Sequence, residues 1–332
     1  MSKVKDRDYL AMTAMLRARE ARMLDRDRME RMLASGSFAD AAKLLTDLGY
    51  EDMSAMHAGE MDASICARRL AIYEEISRMC PEKELVDVFR LKYDYHNAKV
   101  LVKAGALGSG STDLLSDMGR VPAEKLENAV AEAHYSEVPQ VLAKGIQEAQ
   151  VVLAKTGNSQ AAEFILDRAY HKELELLAQK QDSDFLKGYA KILIDAANLG
   201  AAVRTVRMKK GTEFLMTALF EGGNASASAV ADAALNGDAL AVLFTSTPLA
   251  GAAALGVEAM KGGSMTKFEL ACDDAVTAYL GRAKMISFGP EAVIAYLARL
   301  EGEITAIRMI LTGLHAGINP AVIRERLRDL NG

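Results

Sequence analysis

The segment YDYHNAKVLVKAGALG, residues 93–108, sets an aspartate, a histidine, an asparagine and two lysines within one short span. Asp94 and His96 are of the types that move protons, provided that their side chains converge. On a helix, successive residues lie about 100° apart, which puts His96 about 200° from Asp94 and well away from the apolar stripe Leu91–Tyr95–Ala98. The polar groups therefore do not converge within their own helix, and an active site would need partners from elsewhere. The following GALGSGST, residues 105–112, has the glycines of a phosphate cradle. It lacks the lysine that reaches the β- and γ-phosphates, and no strand precedes it, so it reads as a flexible interhelix loop.

Other chemistries fail on spacing. No two of His57, His96, His134, His171 and His315 are three to five residues apart. HKELE at 171–175 lacks the second histidine of a zinc-binding HExxH, so no metal site is expected. There is no GxSxG elbow, and no cysteine beside a histidine to activate it. Asp273-Asp274 and Glu74-Glu75 are sequence neighbours, which a helix splays apart, and they read as solvated surface. No catalytic, cofactor-binding or metal-ligating residue is assigned.

The elements that would position any site are helices. Alanine, leucine, methionine, lysine, arginine and glutamate dominate, prolines number 6, and tryptophan is absent. The fold class expected is all-α. A net charge of −5 is ordinary and argues against a nucleic-acid binder. Cys66, Cys80 and Cys272 form no CxxC pair and fit free thiols in a reducing compartment. The opening MSKVKDRDYL has no apolar core, so no signal peptide is expected there. Residues 239–257 carry no charge but are broken at Thr247-Pro248, and read as two short buried helices rather than a membrane span. A long first helix is expected over DYLAMTAMLRAREARMLDRDRMERMLA, stopped by SGS at 35–37. Ser37 is expected to cap the next helix, with Gly49 ending it. RERLRDL, residues 324–330, reads as a charged final helix.

A pattern recurs along the chain. Val88, Leu91, Tyr95, Ala98 and Val102 form one helical stripe, and Tyr189, Ile192, Ala196, Leu199 and Val203 repeat its spacing. Leu297, Leu300, Ile304, Ile307 and Leu311 repeat it again. An acid precedes the third stripe position each time: Asp94, Asp195, Glu303. Three residues later stand Asn97, Asn198 and Ala306. A glycine-led helix start follows each stripe, at Gly119, Gly222 and Gly317. The period suggests three related helical domains: 1–110, closed with the C-terminal helices by pseudo-threefold symmetry, then 111–220 and 221–332.

The end of the chain, FGPEAVIAYLARLEGEITAIRMILTGLHAGINPAVIRERLRDL, resembles the C-terminal signature of the C-subunit family of V-type ATPases, whose eukaryotic equivalent is the d subunit. Phe288, Gly289, Pro290 and Glu291 match its opening, with Ala292 in place of a proline. Arg308, Ile310, Leu311 and Gly313 match its long helix, and VIRERLRDL its close. YDYHNAKVLVKA is similar to the family's Tyr-Asp-Tyr-His-Asn-x-Lys segment. DAANLGAAVR from Asp195 is a looser version of the second-domain counterpart.

The resemblance implies a funnel of three helical-bundle domains, without cofactor or small-molecule substrate. It implies a non-catalytic central-stalk subunit on the cytoplasmic face of the membrane, a monomer when isolated. Its partners would be the central-shaft subunits and the membrane rotor ring, between which it passes torque for ion transport. Asp94, Asn97, Asp195, Asn198 and Glu303 are expected at equivalent positions, either bordering the inner surface of the funnel or making local interhelix hydrogen bonds. The competing readings are a helical interaction scaffold unrelated to a rotary motor, and an enzyme with an unrecognised site. Copurification with shaft and ring separates the first of these from the rotor component, and turnover by the isolated chain would identify the second.

Overall fold

A computed structural model describes residues 4–108 and 112–330. Among these residues the chain is α-helix, short 3-10 turns and connections, with no strand. The helices are α1 (Leu10–Glu20), α2 (Arg26–Ala34), α3 (Phe38–Lys43), α4 (Ala58–Met79) and α5 (Glu84–Leu107). Then come α6 (Ala123–Ala131), α7 (Gln140–Thr156), α8 (Ser159–Lys180), α9 (Asp184–Arg207), α10 (Thr212–Thr217) and α11 (Ala227–Ala234). The chain continues through α12 (Gly237–Phe244), α13 (Ala250–Met260), α14 (Met265–Gly281), α15 (Pro290–His315) and α16 (Pro320–Arg324). It divides into two compact units, Asp87–Met265 and the remainder, in which residues up to Val86 join those from Thr266 onward.

In the Asp87–Met265 unit, α9 is the axis on which α8, α10, α11 and α13 pack. Its stripe explains why: Tyr189, Ile192, Leu199 and Val203 are buried, each such side chain contributing roughly 1.5–3 kcal/mol. Ala196, the remaining stripe position, is only part-buried. The stripe on α5 is buried throughout, and Phe89 stacks on Tyr189 with ring centroids 5.8 Å apart. In the other unit α15 is the axis. Leu297, Leu300, Ile304, Ile307 and Leu311 are all buried, and α1, α2, α3, α4 and α16 pack around them. Gly313 lets α16 come close, because a Cβ there would lie 2.6 Å from Ile323 Cδ1.

Three expectations are corrected. The long first helix is two helices, α1 and α2, separated by residues 21–25. Asp25 caps α2 by accepting from the Arg28 amide at 2.8 Å. The final helix stops at Arg324, and most of RERLRDL is not helical; Arg324 is held by Glu30 at 2.9 and 3.0 Å, and Arg328 by Asp273 at 2.7 Å. Ser37 does cap α3, but α3 ends at Lys43; a separate 3-10 turn, Thr46–Leu48, leads to Gly49, which takes a left-handed φ of 83°. The uncharged stretch becomes α12 and α13, broken at Thr247-Pro248. Among the described residues no helix is long and apolar enough to cross a membrane.

Candidate functional site: carboxylates that anchor loops

Asp94 and Asn97, three apart on α5, share a face and do converge, on the loop that leads into α6. Asp94 accepts from the Val121 amide at 3.1 Å and from Arg120 Nε at 2.6 Å. Asn97 grips both sides of Ser116, accepting from its amide and donating to its carbonyl, each at 2.8 Å. Both side chains are buried. Arg120 also pairs with Glu173 of α8 at 3.0 Å, and Glu173 accepts from the Tyr95 hydroxyl at 2.8 Å. Burial raises the Asp94 carboxyl above its usual range against the pull of the guanidinium. A Cβ on Gly119 would overlap Asp94 Oδ1, so a glycine is needed where the short acid meets its loop.

The arrangement repeats on α9. Asp195 accepts from the amides of Asn224 and Ala225 at 2.9 and 3.2 Å, and from Asn224 Nδ2 at 2.8 Å. Asn198 grips Phe220 on both sides, at 2.7 and 2.8 Å. A Cβ on Gly223 would overlap Asp195 Oδ1.

On α15 the acid is Glu303, which accepts from the Leu24 amide at 2.6 Å and from the Tyr50 hydroxyl at 2.7 Å. Burial raises its pKa as well. Val121, Ala225 and Leu24 each stand immediately before the capping residue of a helix: Pro122 before α6, Ser226 before α11 and Asp25 before α2. The register is therefore the same in all three places.

The departures have physical reasons. The positions of Gly119 and Gly223 correspond to Arg22, and glutamate is one methylene longer than aspartate, so the loop can stand off and carry a side chain. Ser116 and Phe220 lie five residues before the anchored amide, and the corresponding residue is Arg19. Arg19 is already inside α1, where its backbone groups are satisfied, so Ala306 serves where the other helices need asparagine.

These groups are spent on the chain's own backbone and side chains, and among the described residues no His/Cys/Asp/Glu cluster could hold a metal ion. His96 is exposed, with Nε2 3.0 Å from the Leu114 carbonyl. In GALGSGST, α5 runs to Leu107, while residues 109–111 lie outside the described residues. Arg120, Glu173, Tyr50 and the 21–25 loop escaped the sequence reading because each acts across the fold. The capping aspartate at 25 was the available signal.

His171, from HKELE, is buried with its ring 4.1 Å from the Phe220 ring between centroids, and Nδ1 has no hydrogen-bond partner. Burial, with the Lys99 ammonium adding to it, pushes its pKa down to about 4. The native state thus holds it neutral while the unfolded chain protonates near 6.5. Its stability contribution is present above about pH 6.5 and is lost as pH falls to about 4, by roughly 3 kcal/mol. Urea titrations of His171→Phe against the parent are expected to diverge in the variant's favour over that window. A constant difference across pH would refute this.

The fold and its buried acids define an all-α protein whose long helices hold loops of the same chain. Residues 12–326 match the family described as ATP synthase (C/AC39) subunit, and the chain belongs to that family. It is 22% identical to the C subunit of the V-type sodium ATPase of Enterococcus hirae, over 97% of this chain and 99% of that one. Identity to the C subunit of the A-type ATP synthase of Methanocaldococcus jannaschii is 24%, over 97% and 86%. For the C subunit of the V-type ATP synthase of Thermus thermophilus it is 23%, over 96% and 98%. The chain is accordingly a non-catalytic component of a V/A-type rotary ATPase.

Proposed function

We propose that the chain is the central-stalk adaptor that couples the central shaft to the membrane rotor ring and passes torque between them for ion transport. In this reading it is peripheral on the cytoplasmic face of the membrane and built of three related helical domains. The observation that carries it is the repeated anchor. Each of α5, α9 and α15 is tied by a buried acid to the loop before another helix, so rotation of the long helix drags that loop and its helix along. Close packing adds stiffness, since protein interiors compress little. Asp94, Asn97, Asp195, Asn198 and Glu303 would then serve the partner-facing surface indirectly, by fixing the loops at 116–121, 218–225 and 21–25.

The test is a pull-down of the tagged chain, a monomer in this reading, with purified shaft subunits and separately with detergent-solubilised ring. Binding to both is expected. A folded, helical sample that binds neither would return the chain to a scaffold of unrelated purpose.

A further inference from the structure

On α5 and α9 the anchored loop follows its helix closely, with Asp94 and Val121 27 residues apart and Asp195 and Ala225 30 apart. Glu303 reaches back 279 residues to Leu24. The segment directly after α15 does open a helix at Pro320, as its glycine and proline suggest, yet the partners of Glu303 are Leu24 and Tyr50. The same α15 also holds the other side of Leu24, through Arg299 Nη2 to the Leu24 carbonyl at 3.5 Å. Glu303 and Arg299 are four apart, hence on one helical face. Leu24 itself is fully buried.

We infer that Glu303 and Leu24 form a latch: the N-terminal segment is a strap that completes, from the other end of the chain, the anchor that α15 begins. The strap has further points of attachment. Arg17 Nη2 donates to the Ala283 carbonyl at 2.6 Å, and the Tyr9 hydroxyl donates to Glu82 at 2.6 Å. The Leu24 peptide is the point where the strap takes the register found at Val121 and Ala225. Releasing it would uncover Leu24 and loosen α2 as a local opening. The anchors on α5 and α9 lie wholly within the Asp87–Met265 unit and do not depend on it.

Residue-resolved amide hydrogen exchange on the isolated full chain tests this, whatever partners the protein has. The Leu24 amide of the parent is expected to be protected to the level of Val121 and Ala225. Glu303→Asp falls one methylene short. Leu24 and the first turn of α2 should then exchange roughly ten- to a hundredfold faster, with Val121 and Ala225 unchanged. Glu303→Gln should keep the protection, its oxygen accepting from Leu24 and its amide donating to the Tyr50 oxygen. Fast exchange at Leu24 in the parent would overturn the latch. So would an unchanged Leu24 in Glu303→Asp, or equal acceleration at all three amides.

Discussion

Asp94→Asn is expected to cost about 3 kcal/mol of folding stability, while Asp195→Asn costs about 1 kcal/mol. The two aspartates look equivalent in sequence, but their surroundings differ in one respect. The Asp94 oxygens face Arg120 Nε and the Val121 amide. Both are donors that cannot become acceptors, so whichever way a new carboxamide turns, its NH2 meets an N–H. The change also leaves part-buried Arg120 with Glu173 as its remaining carboxylate. Asp195 Oδ2 instead faces Asn224 Nδ2, and Asn224 can turn over to offer its oxygen. Urea unfolding of the two variants decides the point; equal costs would mean that the Arg120 network contributes nothing beyond the backbone bonds.

Gly223→Ala and Gly119→Ala are expected to cost about 2–4 kcal/mol each, from overpacking and from the amide bonds the displaced acid must give up. The new methyl would occupy the space of the carboxylate oxygen. Gly105→Ala provides the contrast: it lies in α5 with nothing within 4 Å of where a Cβ would stand, and should gain about 0.5–1 kcal/mol. If the clash with the acid is the cause, Gly223→Ala should cost far less when Asp195 is already alanine. Additive costs in that double mutant would show that the glycine is required for another reason.

The sequence stripes were legible because burial on one helical face forces the 3-4 spacing, and Leu91, Leu199 and Leu300 sit where that spacing places them. The acids were legible by register alone. Their partners were not, because a hydrogen bond from Glu303 to Leu24 leaves no local pattern. The break between α1 and α2 was hidden for the same reason: Arg22 to Asp25 contains neither glycine nor proline, and good helix formers surround it. A tertiary contact there overrides propensity. The Gly317 echo was locally right, with φ 69° and a proline-led helix after it, but Glu303 takes its partners elsewhere. The Asn-to-Ala change at 306, a blemish in the sequence repeat, becomes intelligible once Arg19 is seen inside a helix.

The distance along the chain between Leu24 and Glu303 has a consequence for biosynthesis. A ribosome releases the N-terminal segment long before it makes α15, so Leu24, Tyr50 and the apolar faces of α1, α2 and α3 must wait without their axis. The Asp87–Met265 unit is compact in itself, with both partners of each of its acid anchors inside it, and is expected to complete itself while synthesis continues. The chain is therefore expected to fold from its middle outward, the first segment made being among the last to find its place.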